Sequence, residues 1–121
     1  MTRFVRLAAA MLLLSALAVP ASARALLRKA TPAVGSTVTT APPEVRLVFS
    51  EGVEAMFSTI AVSDAGGARV DTGDAHTAPG DQKTLIVALK KLAAGSYTVE
   101  WHATSVDTHK TEGRFTFTLA P

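Results

Sequence analysis

The chain has 121 residues, no cysteine and a formal charge of +2 at neutral pH. This length suits one domain with a single core, and the lack of cysteine excludes disulfides and thiol redox chemistry. Once Arg3 and Arg6 of the predicted leader are set aside, ten Lys and Arg residues face ten Asp and Glu residues. That balance gives no basic surplus of the kind that nucleic acid or an anionic membrane surface would require.

Residues 1–23 have the pattern of a cleaved secretion signal. A basic start precedes an apolar run over residues 7–19, and residues 21–23 read Ala-Ser-Ala, a small-residue cleavage site. The apolar run is too short, and too closely followed by this site, to be a membrane span. We therefore predict a signal peptide over residues 1–23 and an exported mature domain over residues 24–121, without membrane insertion.

From residue 24 onward the hydrophobic pattern is that of short strands. Val45, Leu47 and Phe49 alternate with more polar neighbours, and later segments repeat this alternation between turns rich in Gly and Pro. The strands predicted in this way cover, in chain order, residues 26–29, 45–50, 59–63, 68–72, 85–89, 97–104 and 114–119. Seven short strands predict an all-β fold, a seven-stranded Greek-key barrel or sandwich.

The segments between these strands carry weaker predictions. The pair Gly66-Gly67 predicts a hairpin between residues 59–63 and 68–72. Helix has little support, although residues 51–58 are compatible with a single turn. Residues 71–83 are polar and rich in Asp and Gly, and we expect a long or mobile loop there.

Large side chains of the mature domain are assigned to packing. Tyr97 and Trp101 lie on one apolar strand face and are predicted to be core residues. His102 alternates with Trp101, so it is expected to face solvent. Met56 is the one methionine that follows the leader, and we predict that it packs against the core.

One loop carries the chemistry of the chain. In the segment Ser105-Val106-Asp107-Thr108-His109, a carboxylate and an imidazole lie two residues apart between two predicted strands. Imidazole nitrogen with carboxylate oxygen is a ligand set for divalent transition metals. The pattern therefore predicts part of a metal site at this end of the domain.

Four separated pieces of sequence resemble the CopC-type periplasmic copper-resistance proteins. They follow one another in the family's order and cover almost the whole mature chain. The pieces are residues 24–35, residues 47–51 (Leu-Val-Phe-Ser-Glu), residues 95–101 (Gly-Ser-Tyr-Thr-Val-Glu-Trp) and residues 105–113, closed by Phe115-Thr116-Phe117. The resemblance implies a cupredoxin-like or immunoglobulin-like β-fold, a periplasmic location and copper binding.

The same resemblance implies a Cu(II) site on Asp107 and His109, with Glu51 as an accessory acid. Asp107 either coordinates the metal or orients His109. Arg24 stands where the family has an N-terminal histidine that supplies both imidazole and α-amine, so only the amine remains. Because a guanidinium has no acceptor and keeps its charge beside a dication, we expect weaker Cu(II) binding than the full pattern gives.

The other histidines and the methionine leave two alternatives open. His76 lies near Asp71, Asp74 and Asp81, which indicates either a second metal site or a hydrated surface loop. His102 is expected to be no ligand. Met56 alone cannot form the methionine-rich Cu(I) site that some CopC-type proteins carry.

Two functions fit these predictions. The first is a periplasmic Cu(II) carrier or sequestering protein of copper resistance and homeostasis, with a CopD-type inner-membrane copper transporter as the partner implied by resemblance. The second is a CopC-like interaction module with weakened or lost metal binding. No Ser/His/Asp arrangement, phosphate-binding loop or three-ligand zinc spacing is evident, so we predict that the protein is not an enzyme.

Overall fold

The computed structural model describes residues 24–121, and the predicted signal peptide lies outside the described residues. This part of the chain forms eight strands and one short 3-10 turn, Ala55–Phe57. The strands are β1 (Leu27–Thr31), β2 (Thr37–Val38), β3 (Glu44–Phe49), β4 (Thr59–Asp64), β5 (His76–Ala78), β6 (Asp81–Ala88), β7 (Gly95–Thr104) and β8 (Lys110–Leu119).

The strands form two four-stranded sheets. The first has the order β1-β3-β6-β5 and is antiparallel throughout. The second has the order β2-β8-β7-β4, in which only the short β2 runs parallel to its neighbour β8. The prediction of an all-β sandwich is therefore confirmed.

The core fills the space between the sheets and follows from the alternation in the sequence. Val45, Leu47 and Phe49 on β3 are buried, while Arg46 between them is exposed. The same alternation holds on β7 and β8, whose inward residues are Tyr97, Val99, Trp101, Ala103, Phe115, Phe117 and Leu119. Because the chain has no cysteine, burying these strand faces must supply the stabilisation that disulfides provide in many small domains.

Aromatic rings pack together at two places in the core, once between the two sheets and once within the second sheet. Phe49 meets the edge of Trp101 with ring centroids 5.1 Å apart, and Tyr97 stacks on Phe117 at 5.3 Å. Tyr97 and Trp101 are only 4% and 6% exposed to solvent. Their assignment to the core is therefore confirmed.

The strand count is eight rather than seven, because the short strands β2 and β5 were not predicted and residues 68–72 do not form a strand. Residues 68–72 turn back beside β4 as predicted but make only isolated bridges, Ser63 to Arg69 and Asp71 to Leu89. The carboxylate of Asp71 accepts the backbone N–H of Val62 at 2.8 Å, so a side chain replaces a bond of the strand ladder.

Two further expectations change. Residues 71–83 are not a long loop, because they contain β5, a turn at Pro79 and Gly80, and the start of β6. Met56 is not a packing residue, since it is 87% exposed on the 3-10 turn. The turn itself lies inside residues 51–58, the segment whose sequence is compatible with a single helical turn.

Candidate metal centre

The loop between β7 and β8 is organised around one buried hydroxyl. Ser105 has no exposed surface, and its Oγ accepts the backbone N–H of His109 at 3.1 Å and donates to the carboxylate of Asp107. The backbone N–H of Ser105 donates to the carbonyl of His109 at 2.8 Å. Thr108 closes the turn with a positive φ of 76°. Residues 105–109 are therefore a tight, internally bonded turn.

This turn brings the two predicted ligands together. Nδ1 of His109 lies 3.4 Å from Oδ1 of Asp107, and both side chains are about half exposed, at 53% and 48%. The Ser105 hydroxyl, and then His109, lower the pKa of Asp107 below its usual value. The carboxylate is therefore ionised at neutral pH, which is the form that attracts a cation.

Glu51 belongs to the segment that runs beside this turn. The carbonyl of its neighbour Gly52 accepts the N–H of Val106 at 3.0 Å, and Val53 forms a bridge with Ser105. Glu51 itself is partly exposed. The fold thus places its backbone at the end of the sandwich that carries Asp107, as an accessory role would require.

The segment of Arg24 and Ala25 is held at the same end by two hydrogen bonds, one from the residue that follows β3 and one from β8. The carbonyl of Arg24 accepts the Ser50 hydroxyl at 3.2 Å just after β3, and the carbonyl of the next residue, Ala25, accepts the Thr111 hydroxyl at 2.8 Å on β8. Ala25 is completely buried, whereas Arg24 is exposed. Arg24 therefore lies at the end of the domain where Thr111 follows the turn of residues 105–109.

The side chains do not form a closed cage. Within residues 24–121, no group of three or more His, Cys, Asp or Glu side chains is arranged to hold a metal ion. The structure therefore pairs Asp107 with His109 and brings Glu51 and Arg24 to the same end of the domain.

His102 faces solvent on the outer side of β7, as its alternation with Trp101 predicts. It is 51% exposed and lies 3.2 Å from Glu112 and 3.7 Å from Glu100 through its two ring nitrogens. Glu100 also meets Arg114 at 3.5 Å. This row of cross-strand charges was not predicted, although charged residues at every second position on two paired strands are the signal for it.

His76 does not collect the acidic residues of its segment. It lies on the edge strand β5, with Nδ1 3.1 Å from the carbonyl of Asp74. The carboxylate of Asp71 is bound by Arg69 at 2.7 Å, and that of Asp81 accepts the Thr84 hydroxyl at 2.6 Å. The geometry therefore favours an ordinary surface position over a second metal site.

The comparison with known protein families decides the relationship. The sequence model of the CopC domain matches residues 27–120, which is nearly the whole described part of the chain. The chain belongs to the CopC domain family. The resemblance stated from the sequence pieces is therefore confirmed.

Curated relatives extend this family assignment. Protein YobA of Escherichia coli (strain K12) is 42% identical over 118 residues, 97% of this chain and 95% of that protein. Copper resistance protein C of Pseudomonas syringae pv. tomato is 38% identical over 122 residues, 96% of this chain and 94% of that protein. Copper transport protein CutJ of Bacillus subtilis (strain 168) is 35% identical over 98 residues, but the match covers only 18% of that protein.

Solved structures support the same conclusion for the fold. CopC from Methylosinus trichosporium OB3b has a TM-score of 0.76 at 33% identity, covering 81% of this chain and 95% of that one. PcoC, a methionine-rich copper resistance protein from Escherichia coli, has a TM-score of 0.66 at 30% identity, covering 80% and 99%. The named members of the CopC family include copper resistance and copper transport proteins, and this β-sandwich is the family's fold.

Within residues 24–121, no helix is long and apolar enough to cross a membrane.

Proposed function

We propose that the mature domain, residues 24–121, binds Cu(II) at the turn between β7 and β8 and carries or sequesters it outside the cytoplasm. The observation that supports this most is the pairing of His109 with Asp107 at 3.4 Å in a turn held by the buried Ser105 hydroxyl. Membership of a family whose named members include copper resistance and copper transport proteins supports the choice of metal.

The chemistry of the donors suits Cu(II). This ion stands highest among divalent first-row metals in affinity for nitrogen and oxygen ligands and prefers a tetragonal arrangement. His109 supplies an imidazole nitrogen, and Asp107 supplies a carboxylate oxygen or accepts a hydrogen bond that orients the ring. Glu51 is assigned an accessory, charge-balancing role from its place beside the turn.

Arg24 contributes its α-amine after signal cleavage. An α-amine has a pKa of roughly 8, so copper must displace a proton to bind it, and affinity falls as pH is lowered. The guanidinium of the same residue places a positive charge near the dication. For this reason we assign the site a lower affinity than one that begins with histidine.

The proposed setting is the periplasm, reached through the signal peptide of residues 1–23, and the proposed role is not catalytic. A membrane copper transporter of the CopD type is the proposed recipient of the metal. The match to CutJ supports this pairing, since a protein named for copper transport contains a CopC-like segment as 18% of its length.

The test is a Cu(II) titration, followed by electron paramagnetic resonance, of residues 24–121 with an authentic Arg24 terminus. We expect one Cu(II) per chain, and His109→Ala should weaken binding at least about tenfold because it removes the only side-chain nitrogen ligand of the turn. Arg24→His should strengthen binding by adding an imidazole. His76→Ala is the matched control and should leave the titration unchanged.

If the native domain binds copper no better than His109→Ala, the carrier role is wrong. The CopC-like interaction module without useful metal affinity would then be the remaining function.

A further inference from the structure

A cleft of about 600 Å³ lies on the outer face of the β7–β8 hairpin, next to the metal turn. Thr104 and Lys110, which form the last cross-strand pair before the turn, both line it. The remaining walls include Arg24, Phe57, His102 and Glu112. Asp107 and His109 do not line the cleft, but it borders both strand ends that flank their turn. Its size suits a small molecule.

The charges of this cleft are mostly positive and unpaired. Within residues 24–121, neither Arg24 nor Lys110 forms an ion pair with a carboxylate. The one carboxylate in the wall, on Glu112, already faces Nδ1 of His102 at 3.2 Å. Cleavage after Ala23 would add an α-ammonium to the same wall. Arg24 and Lys110 thus face this space without a carboxylate partner, and Glu112 is the one acidic residue in its wall.

We propose that this cleft binds the carboxylate of a small molecule that accompanies Cu(II), and that this ligand completes the metal's coordination. The second half of this inference rests on the proposed copper function, whereas carboxylate binding does not. The guanidinium of Arg24 presents paired N–H donors that match a carboxylate, and the ammonium of Lys110 adds a second charge.

Electrostatics favours such a ligand over water. A dication at His109 beside the cations of the cleft raises the Coulomb energy of the bound state, and an anion between them lowers it. Asp107 and His109 leave coordination positions of a tetragonal ion unfilled, because no third His, Cys, Asp or Glu side chain within residues 24–121 joins them. An amino acid, which chelates copper through its amine and carboxylate, has the required chemistry.

The first experiment measures carboxylate binding without copper. Citrate is titrated into copper-free residues 24–121 at low ionic strength, and binding is followed by amide chemical shifts in NMR. Arg24→Ala keeps the α-amine but removes the guanidinium, and we expect about tenfold weaker citrate binding. Lys110→Ala should weaken it less, because an ammonium is a single charge. Arg28→Ala, an exposed arginine outside the cleft, is the control and should match the native domain.

The second experiment tests the ternary complex. Cu(II) is added with glycine or with ethylenediamine, a chelator without a carboxylate, and the copper spectrum is recorded by electron paramagnetic resonance. We expect the spectrum of the native domain to change with glycine, and Arg24→Ala to need about tenfold more glycine for the same change. Ethylenediamine should show no difference between the native domain and Arg24→Ala.

The outcomes separate the two proposals. Equal citrate binding by the native domain and Arg24→Ala overturns the carboxylate site, whatever copper does. Two results together would overturn the copper function and leave an anion site. Arg24→Ala would weaken citrate binding, and His109→Ala would leave copper binding unchanged. Thermal unfolding of Arg24→Ala and Lys110→Ala at the same temperature as the native domain shows that both variants keep the fold.

Discussion

Asp71 is a carboxylate whose side chain has no exposed surface, and four donors surround it. The guanidinium of Arg69 binds it through two nitrogens at 2.7 and 2.8 Å, and the backbone N–H groups of Val62 and Gly73 each donate at 2.8 Å. Burial by itself would raise the pKa of Asp71, but these donors together lower it. The charged carboxylate therefore fixes the segment that follows β4.

This arrangement predicts a pH-dependent contribution to stability. Because the pKa of Asp71 is lower in the folded state, its contribution is present above the unfolded pKa of about 3.9 and is lost as pH falls through the folded value. Asp71→Asn should lower the free energy of unfolding by about 2 kcal/mol at pH 7, since an amide hydrogen would face a donor. Urea unfolding at pH 7 and pH 3 measures the free energy of unfolding of the native domain and of Asp71→Asn.

The matched comparison is Arg69→Ala, whose side chain is 57% exposed. Its loss removes one partner but leaves the two backbone donors on Asp71, so the cost at pH 7 should be smaller than that of Asp71→Asn. A native domain and an Asp71→Asn variant that differ in stability as much at pH 3 as at pH 7 would contradict the role of the charge.

The sequence predicted Asp107 and His109 as a pair because two residues separated by one position in a turn are close in any fold. It did not predict the environment of Asp71, because a carboxylate among polar neighbours has the pattern of a surface loop. Only the register of β4 brings the amide of Val62 to it. Exposure of Met56 was missed for a related reason, since its packing depends on where a three-residue turn ends.

At the scale of elements, the β7–β8 hairpin is the largest unit of the domain, with ten paired residues on each strand. Trp101 faces Gly113 across this pair, and a methyl group built on Gly113 would lie 2.5 Å from the indole ring. The ring therefore occupies the space over the glycine and meets Phe49 of the opposite sheet at 5.1 Å.

Gly113→Ala should consequently lower the free energy of unfolding by about 1–3 kcal/mol, because the indole must leave its position in a packed core. Trp101 is the one tryptophan in the chain, so its fluorescence reports the displacement directly. Chemical denaturation of the variant gives the loss of stability.

Gly66→Ala serves as the control, because a methyl group there would meet only an Asp64 oxygen at 3.5 Å, an ordinary contact. If Gly113→Ala has the stability and the Trp101 fluorescence of the native domain, the hairpin accommodates the methyl group without loss of stability. That result would contradict tight packing of the indole over Gly113.

Long elements were predictable and short ones were not. Alternation over β3, β7 and β8 extends for six to ten residues, which is enough to establish a period of two. β2 and β5 have two and three residues, too few to show any period. Residues 68–72 have a strand-like pattern, but the side chain of Asp71 takes a bond that a neighbouring strand would have made.

For the molecule as a whole, the buried residues of both sheets lie between Ala25 and Leu119. We expect residues 24–121 to fold without the leader and to unfold in one cooperative step, because one continuous core joins the two sheets. Urea transitions followed by far-UV circular dichroism and by Trp101 fluorescence should coincide.

Two separate transitions would show instead that the sheets unfold independently.

Mass spectrometry of the exported protein should give Arg24 as its first residue, and a different terminus would remove the amine from the proposed site.

The whole architecture was predictable as a class because strands with one apolar face have few ways to bury it other than packing two sheets face to face. The order of strands within the sheets was not, since β1 pairs with β3 and β6 with both β3 and β5. Packing between distant segments determines those pairings. The hydrophobic period within one segment gives no information about its partner strands.

The bond between the carbonyl of Ala25 and the hydroxyl of Thr111 joins residues 86 positions apart. It brings the segment of Arg24 and Ala25 to the turn end of the β7–β8 hairpin, so the proposed copper site draws on two distant segments of the polypeptide. A fragment that lacks either segment lacks part of the proposed site. Copper capture should therefore require the folded domain as a whole, and the isolated β7–β8 hairpin should not reproduce it.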